Sequence, residues 1–209
     1  MTGAPDAQAP ITVAMTGASG AQYGLRLLEC LIAAQRTVFV TLSRAAHIVL
    51  ATEADCAVPA RPAEATRFLA ERFGARAGQL RVCGEEEWTA PLASGSGAPR
   101  TMVVCPCSMA TLSAIACGAS EDLTGRAADV VLKERGRLIL VPRETPLSAI
   151  HLENMLKLAR LGVVILPANP GFYHRPERVG QVVDFVVARI LDQLGVAQQL
   201  MPPWGRERG

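Results

Sequence analysis

Lysine is scarce in this chain: only Lys133 and Lys157 stand among the 21 basic residues, the remainder being arginine. Charge of one sign is also lacking, the formal net charge being +2 with basic residues scattered, so no footprint for a nucleic-acid duplex or an anionic membrane stands out. Small anions remain as partners. Six cysteines occur without any C-x-x-C pair, which excludes a zinc ribbon and a thioredoxin-like motif and favours plain thiols in a reducing cytosol. His47, His151 and His174 form no H-E-x-x-H spacing, so no metal is implied. No run approaches the roughly 18 apolar residues of a spanning helix, and the start "MTGAPDAQAP" has neither a basic nor an apolar leader region. A cytoplasmic protein is therefore expected. Internal repeats and low-complexity tracts are missing as well.

What is present is a strand–helix rhythm over 209 residues, half of them hydrophobic, enough for one α/β domain. Residues 1–10 read as a disordered tail and 11–209 as a single domain. "ITVAM" reads as a buried strand, 19–34 as a helix, 37–42 as a strand and 43–53 as a helix. Residues 54–100 read as an elaborated connection carrying one helix near 65–73. The rhythm resumes with strands at 101–106, 137–142 and 163–167 and helices at 108–118, 122–135, 148–161 and 178–194. At least five parallel strands covered on both faces imply a Rossmann-like doubly wound fold.

The turn "MTGASGAQYG" follows the first strand. Backbone amides and the positive end of a helix suit such a turn to a phosphate, although Gly17, Gly20 and Gly24 could instead serve only a tight turn and close helix–sheet packing. The spacing departs from the dinucleotide pattern G-x-G-x-x-G, and the second strand ends in Leu42-Ser43-Arg44, not in an acid that would hold a ribose. Arg44 leaves a 2′-phosphate open, but no Tyr-x-x-x-Lys pair of a short-chain reductase exists. A mononucleotide such as FMN suits the turn better than NAD.

Open α/β sheets bind ligands beyond the carboxyl ends of their strands. Those ends carry Ser43, then "PCSMAT" with Ser108 and Thr111, then Arg143-Glu144. Ser108 also reads as a helix cap, and Arg143-Glu144 reads equally as a surface ion pair. Arg126, Lys133, Tyr173 and Arg189 could together neutralise a phosphate and promote its departure, though singly each suits a solvated helix face.

"TGASGAQYGLRLLECL", "LSRAAHIVLATE", "PCSMATLSAIACG", "RAADVVLKERGRLILVPRETPLSAIHLENM" and "PANPGFYHRP" closely resemble the UbiX family of flavin prenyltransferases, in order, over about residues 11–204. The resemblance implies alkylation of reduced FMN at N5 by dimethylallyl monophosphate and ring closure at C6. Its product, prenylated FMN, is the cofactor of UbiD-type decarboxylases, as in ubiquinone biosynthesis. Carried across by motif, Gly17, Ala18, Ser19, Ser43, Ser108, Met109, Ala110, Thr111, Arg126 and Arg143 would hold the flavin, with backbone contacts at Met109 and Ala110. Lys133, Arg143, Tyr173 and Arg189 would hold the prenyl phosphate across a subunit boundary. Ser19, Glu53 and Glu144 would be catalytic, the glutamates managing protons.

The family also implies a homododecamer and metal-independent transfer, consistent with the absence of a D-D-x-x-D motif. The chain departs from the family's Lys-Glu-Arg-Arg-Pro by having Gly136, which is expected to loosen a helix end. Relatives that decarboxylate cysteine carry "PASANT" and "P-x-M-N-x-x-M-W" segments, neither of which is present. Direct decarboxylation of an aromatic acid gives the phosphate-binding cluster no task. A flavin carrier without chemistry would not need Glu144 or Tyr173. Trp88 and Trp204 read as packing or interface residues, with a possible cover for the prenyl group.

Overall fold

A computed structural model describes residues 9–95 and 97–201. Most of the expected tail, and Trp204, lie outside the described residues. Six parallel strands form one sheet: β1 (Ile11–Met15), β2 (Val38–Leu42), β3 (Leu80–Cys83), β4 (Thr101–Cys107), β5 (Arg137–Pro142) and β6 (Val164–Ile165), in the order β3-β2-β1-β4-β5-β6. Seven helices accompany them: α1 (Ala21–Ala33), α2 (Arg44–Ala54), α3 (Pro62–Phe73), α4 (Met109–Cys117), α5 (Leu123–Lys133), α6 (Ala149–Arg160) and α7 (Val179–Leu194).

The doubly wound expectation holds, with one strand more than the rhythm revealed. β3 lies inside the segment read as a connection. It is four residues long, and Arg81 is exposed in its middle, so its apolar signal is weak. Its register against β2, with Leu80 opposite Val38 and Val82 opposite Val40, supplies what the local pattern lacks. Elsewhere alternation sets the layers. Val13, Val103 and Ile139 face the apolar cluster that includes Leu28 of α1 and Val187 of α7, whereas Ala14, Val104 and Leu140 face the cluster that includes Leu112 of α4 and Ala127 of α5.

The chain leaves β1 on one side towards β2 and β3, then returns to β4 on β1's other side. That reversal opens a crevice at the carboxyl ends of β1 and β4, the ordinary ligand position of such sheets. At the opposite edge α5 ends at Lys133, before Gly136. A Cβ there would stand 2.4 Å from the Arg100 carbonyl oxygen, which accepts the Arg137 amide at 2.7 Å, so the glycine lets β5 start hard against the residue before β4.

Candidate functional site at the strand reversal

The glycines of the first turn serve close approach. A Cβ on Gly17 would meet the Ala45 Cβ at 2.4 Å, and one on Gly24 would meet the Cys105 carbonyl oxygen at 2.6 Å. Gly20 adopts φ 111°, a left-handed conformation that glycine accepts without strain, and so precedes α1. The first helical amides are then claimed by the protein itself. Glu53, projecting from α2, accepts the Gly20 amide at 2.7 Å and the Ala21 amide at 3.3 Å.

Partial burial alone would raise the Glu53 carboxyl. Hydrogen bonds from the Ser19 side chain and the Gly20 and Ala21 amides, with the Arg143 charge, outweigh it and hold the group below the usual carboxylate range. A phosphate at this helix end would stand against a carboxylate. The expectation that this turn grips a phosphate is therefore revised: it presents Ser19 and a carboxylate.

Beside it, β2 ends at Ser43, whose amide donates to Met15 O at 3.1 Å and whose hydroxyl accepts the Ala46 amide at 3.1 Å as the cap of α2. Arg44 turns outwards to Glu85 at 3.5 Å and Glu86 at 3.9 Å, which removes the 2′-phosphate reading. Beyond β4, Ser108 caps α4 by accepting the Thr111 amide at 3.2 Å, with the two hydroxyls 3.0 Å apart. Met109 is buried and Ala110 exposed.

Arg143, just past β5, donates from Nε to the Ser19 carbonyl at 3.2 Å. Among the described residues this is the guanidinium's only hydrogen bond. Glu144 is exposed and takes the neighbouring Thr145 amide at 3.0 Å. The tertiary structure thus draws Gly17, Ala18, Ser19, Ser43, Glu53, Ser108–Thr111 and Arg143 around one crevice, with Glu144 next in the chain. Arg126 belongs to the same end of the sheet. It lies in the first turns of α5, whose Leu123 amide donates to Glu85 O at 2.8 Å beyond β3, and its guanidinium holds Ala93 O and Asp129, each at 3.0 Å.

Other expected site residues stand apart. Lys133 ends α5 at the amino edge of the sheet, 2.5 Å from Glu134, which also faces Arg100 at 3.7 Å. One chain does not bring it to Arg143. Arg189 pairs with Asp192 at 2.8 Å on α7, whose next residue, Gln193, offers its carbonyl to Arg137 at the start of β5. Tyr173 lies edge-on to Phe185 at 5.6 Å and to His174 at 5.9 Å in the segment after β6 and is largely exposed.

Three threonines that sequence reasoning passed over organise the crevice. Thr16 Oγ1 donates to Pro106 O at 3.0 Å and accepts the Ser108 amide at 2.8 Å, stapling the end of β1 to the end of β4. Thr41 and Thr124 share a buried hydrogen bond of 2.9 Å that ties β2 to α5. For Thr16 and Thr41 the available signal was a polar residue directly after or inside an apolar strand; Thr124, in the first turn of α5, carried none. Trp88 is half exposed.

A donor set of three serines, one threonine and one arginine around two capped helix ends suits a flavin mononucleotide, whose phosphate needs donors and whose ring edge needs both donors and acceptors. Comparison with known proteins agrees. The model of the Flavoprotein family matches residues 2–191. Flavin prenyltransferase UbiX of Pseudomonas aeruginosa is 62% identical over 197 residues, covering 94% of each chain. The crystal structure of AnUbiX (PadA1) in complex with FMN and dimethylallyl pyrophosphate superposes with a TM-score of 0.84 at 37% identity, over 96% of this chain and 100% of that one. A dodecameric FMN-dependent UbiX-like decarboxylase from Escherichia coli O157:H7 gives 0.81 at 40% identity, over 96% and 99%.

Proposed function

Because this chain belongs to the UbiX family of flavin prenyltransferases, within the Flavoprotein family, we propose that it joins a dimethylallyl group to N5 and C6 of reduced FMN and releases phosphate. The observation that carries the reading is the Ser19–Glu53–Arg143 cluster at the carboxyl edge of β1, β4 and β5. Reduced FMN, when bound, supplies the nucleophilic nitrogen and carbon, and the prenyl phosphate supplies the electrophilic carbon.

Everything else falls to the chain. Residues 17–19 would hold the flavin ring, and Ser19 with Glu53 would hold or move a proton near its N5. Ser43 and Ser108–Thr111 at the capped ends of α2 and α4, with Arg126, would hold the flavin phosphate, away from the Glu53 carboxylate. Arg143 neutralises the prenyl phosphate, and Glu144 protonates it as it leaves.

Lys133, Tyr173 and Arg189 join the phosphate site from neighbouring copies in a homododecamer, which explains why Lys133 stands at the far edge of its own sheet. The donor is dimethylallyl monophosphate, and a UbiD-type decarboxylase receives the prenylated FMN. All six cysteines are free thiols, as befits a reducing cytoplasm, and no helix among the described residues is long and apolar enough to cross a membrane.

The test is anaerobic incubation of the purified protein with reduced FMN and dimethylallyl monophosphate, without added metal, followed by mass spectrometry of the flavin. One added C5H8 unit, lost in Glu144→Gln, is expected. Unmodified flavin on a folded, FMN-bound protein would overturn the monophosphate reading, and the diphosphate donor would separate a wrong donor from a wrong reaction.

A further inference from the structure

Tyr173 is 58% exposed, yet its ring is held by its neighbours. It lies edge-on to Phe185 of α7, with centroids 5.6 Å apart and planes at 77°, and edge-on to His174 at 5.9 Å and 80°. His174 in turn lies flat against Phe185, at 5.5 Å and 6°. All three spacings fall in the range of about 4.5–7 Å over which such ring pairs attract. Gly171 completes the packet. A Cβ there would stand 2.8 Å from Tyr173 Cε1 and 2.9 Å from Phe185 Cζ, so the glycine lets both rings seat. Phe185 is partly buried against the core, which anchors the packet in the body of the fold.

His174 is the unexpected member. Both of its ring nitrogens are buried, and neither has a hydrogen-bond partner among the described residues. Buried polar atoms ordinarily find one. Here the histidine contributes a flat ring, not a hydrogen bond.

We propose that His174 and Phe185 are positioning residues of the prenyl-phosphate site: their rings, with Gly171, clamp Tyr173 beside the face of α7 that carries Arg189. The inference rests on the function proposed above, which gives Tyr173 and Arg189 to that phosphate. Phe185 and Arg189 are four residues apart, hence neighbours on one face of the helix, about 6 Å apart along its axis. Residues 166–178, which carry Tyr173, form neither strand nor helix, so its place relative to Arg189 falls to the rings. α7 thus sets Arg189 directly and Tyr173 through Phe185. A tyrosine fixed in advance loses less freedom when it takes a ligand.

The experiment measures steady-state prenylation of reduced FMN by the full-length protein under the anaerobic conditions above, with KM for dimethylallyl monophosphate, kcat, FMN affinity and Tm for each variant. His174→Ala, Phe185→Leu and Gly171→Ala, the last of which changes no ring but pushes on two, should each raise KM at least about tenfold, with kcat within about twofold and FMN affinity unchanged. His174→Phe keeps a flat ring and drops the unpaired nitrogens, so it should retain the wild-type KM with an equal or higher Tm. A His174→Phe variant as impaired as His174→Ala would overturn the clamp, because the nitrogens themselves would then serve the ligand. Loss of kcat and FMN affinity together with KM would overturn it too, by reducing the packet to a support of the fold. An active wild type whose KM the variants leave unchanged would overturn the clamp alone. A wild type that neither prenylates FMN nor binds dimethylallyl monophosphate in calorimetry would sink the functional reading beneath it. Should Phe185→Leu fail to fold, the two His174 variants decide.

Discussion

Replacing Thr16 by valine removes one hydroxyl and disturbs both strands that frame the crevice. Thr16 is buried, and its Oγ1 both donates to Pro106 O and accepts the Ser108 amide. Pro106 O keeps a second donor, the Thr16 amide at 3.2 Å, so that acceptor stays satisfied. The Ser108 amide is left without a partner. An unsatisfied donor costs about 1–3 kcal/mol when fully buried; the Ser108 amide is part-buried and the near-isosteric valine leaves no cavity, so Thr16→Val should destabilise by up to roughly 2 kcal/mol.

For a chain of this size that corresponds to about 4–8 °C in Tm. Thr16→Ser keeps the hydroxyl and loses a methyl group, a cost nearer 1 kcal/mol. Function should separate the two further: with the α4 cap no longer tied to β1, valine should weaken FMN binding, whereas serine should leave it close to wild type. The assay is denaturant unfolding at one fixed protein concentration, with FMN affinity measured by fluorescence titration on the folded variants. If serine is as damaging as valine in both measurements, the hydroxyl is not the staple described.

Glu53→Gln should cost up to about 1 kcal/mol at neutral pH, because a charge leaves the amino end of α1. The folded carboxyl lies below its ordinary value of 4.5, so its contribution is full above about that pH and is lost as the pH falls through the lower folded value. Wild type and variant should therefore converge in acid, and a stability gap unchanged from pH 7 to pH 3 would refute the assignment. Gly24→Ala should destabilise by about 1–3 kcal/mol despite alanine's better helix propensity, since the new Cβ meets the Cys105 carbonyl oxygen at 2.6 Å and a backbone atom cannot step aside. A stabilised variant in thermal unfolding would show that α1 can lift off β4.

Periodicity and end signals sufficed for most of the architecture, because they are local. β5 occupies the expected 137–142, and Ser43, Ser108 and Ser148 cap helices where a serine precedes an apolar run. The motifs likewise identified the family, since each short block is weak but their order over the chain is specific. β3 escaped because a short edge strand with an exposed arginine takes its identity from pairing with β2, not from its own pattern.

The first turn shows the same division more sharply. Its glycines and its place after β1 are written in the sequence. Its charge is not, because Glu53 is 33 residues away from Gly20 and reaches the amino end of α1 only when α2 packs beside it. The same holds for Arg143, 124 residues from Ser19, which meets it only across β4. Local residue order determined which elements form and which side chains stand at strand ends. Only tertiary packing decided which of those ends share a crevice, that α1 already carries an anion, and that Lys133 faces away from the site in its own chain, because helix and strand directions place residues distant in sequence on one edge or on opposite edges of the sheet.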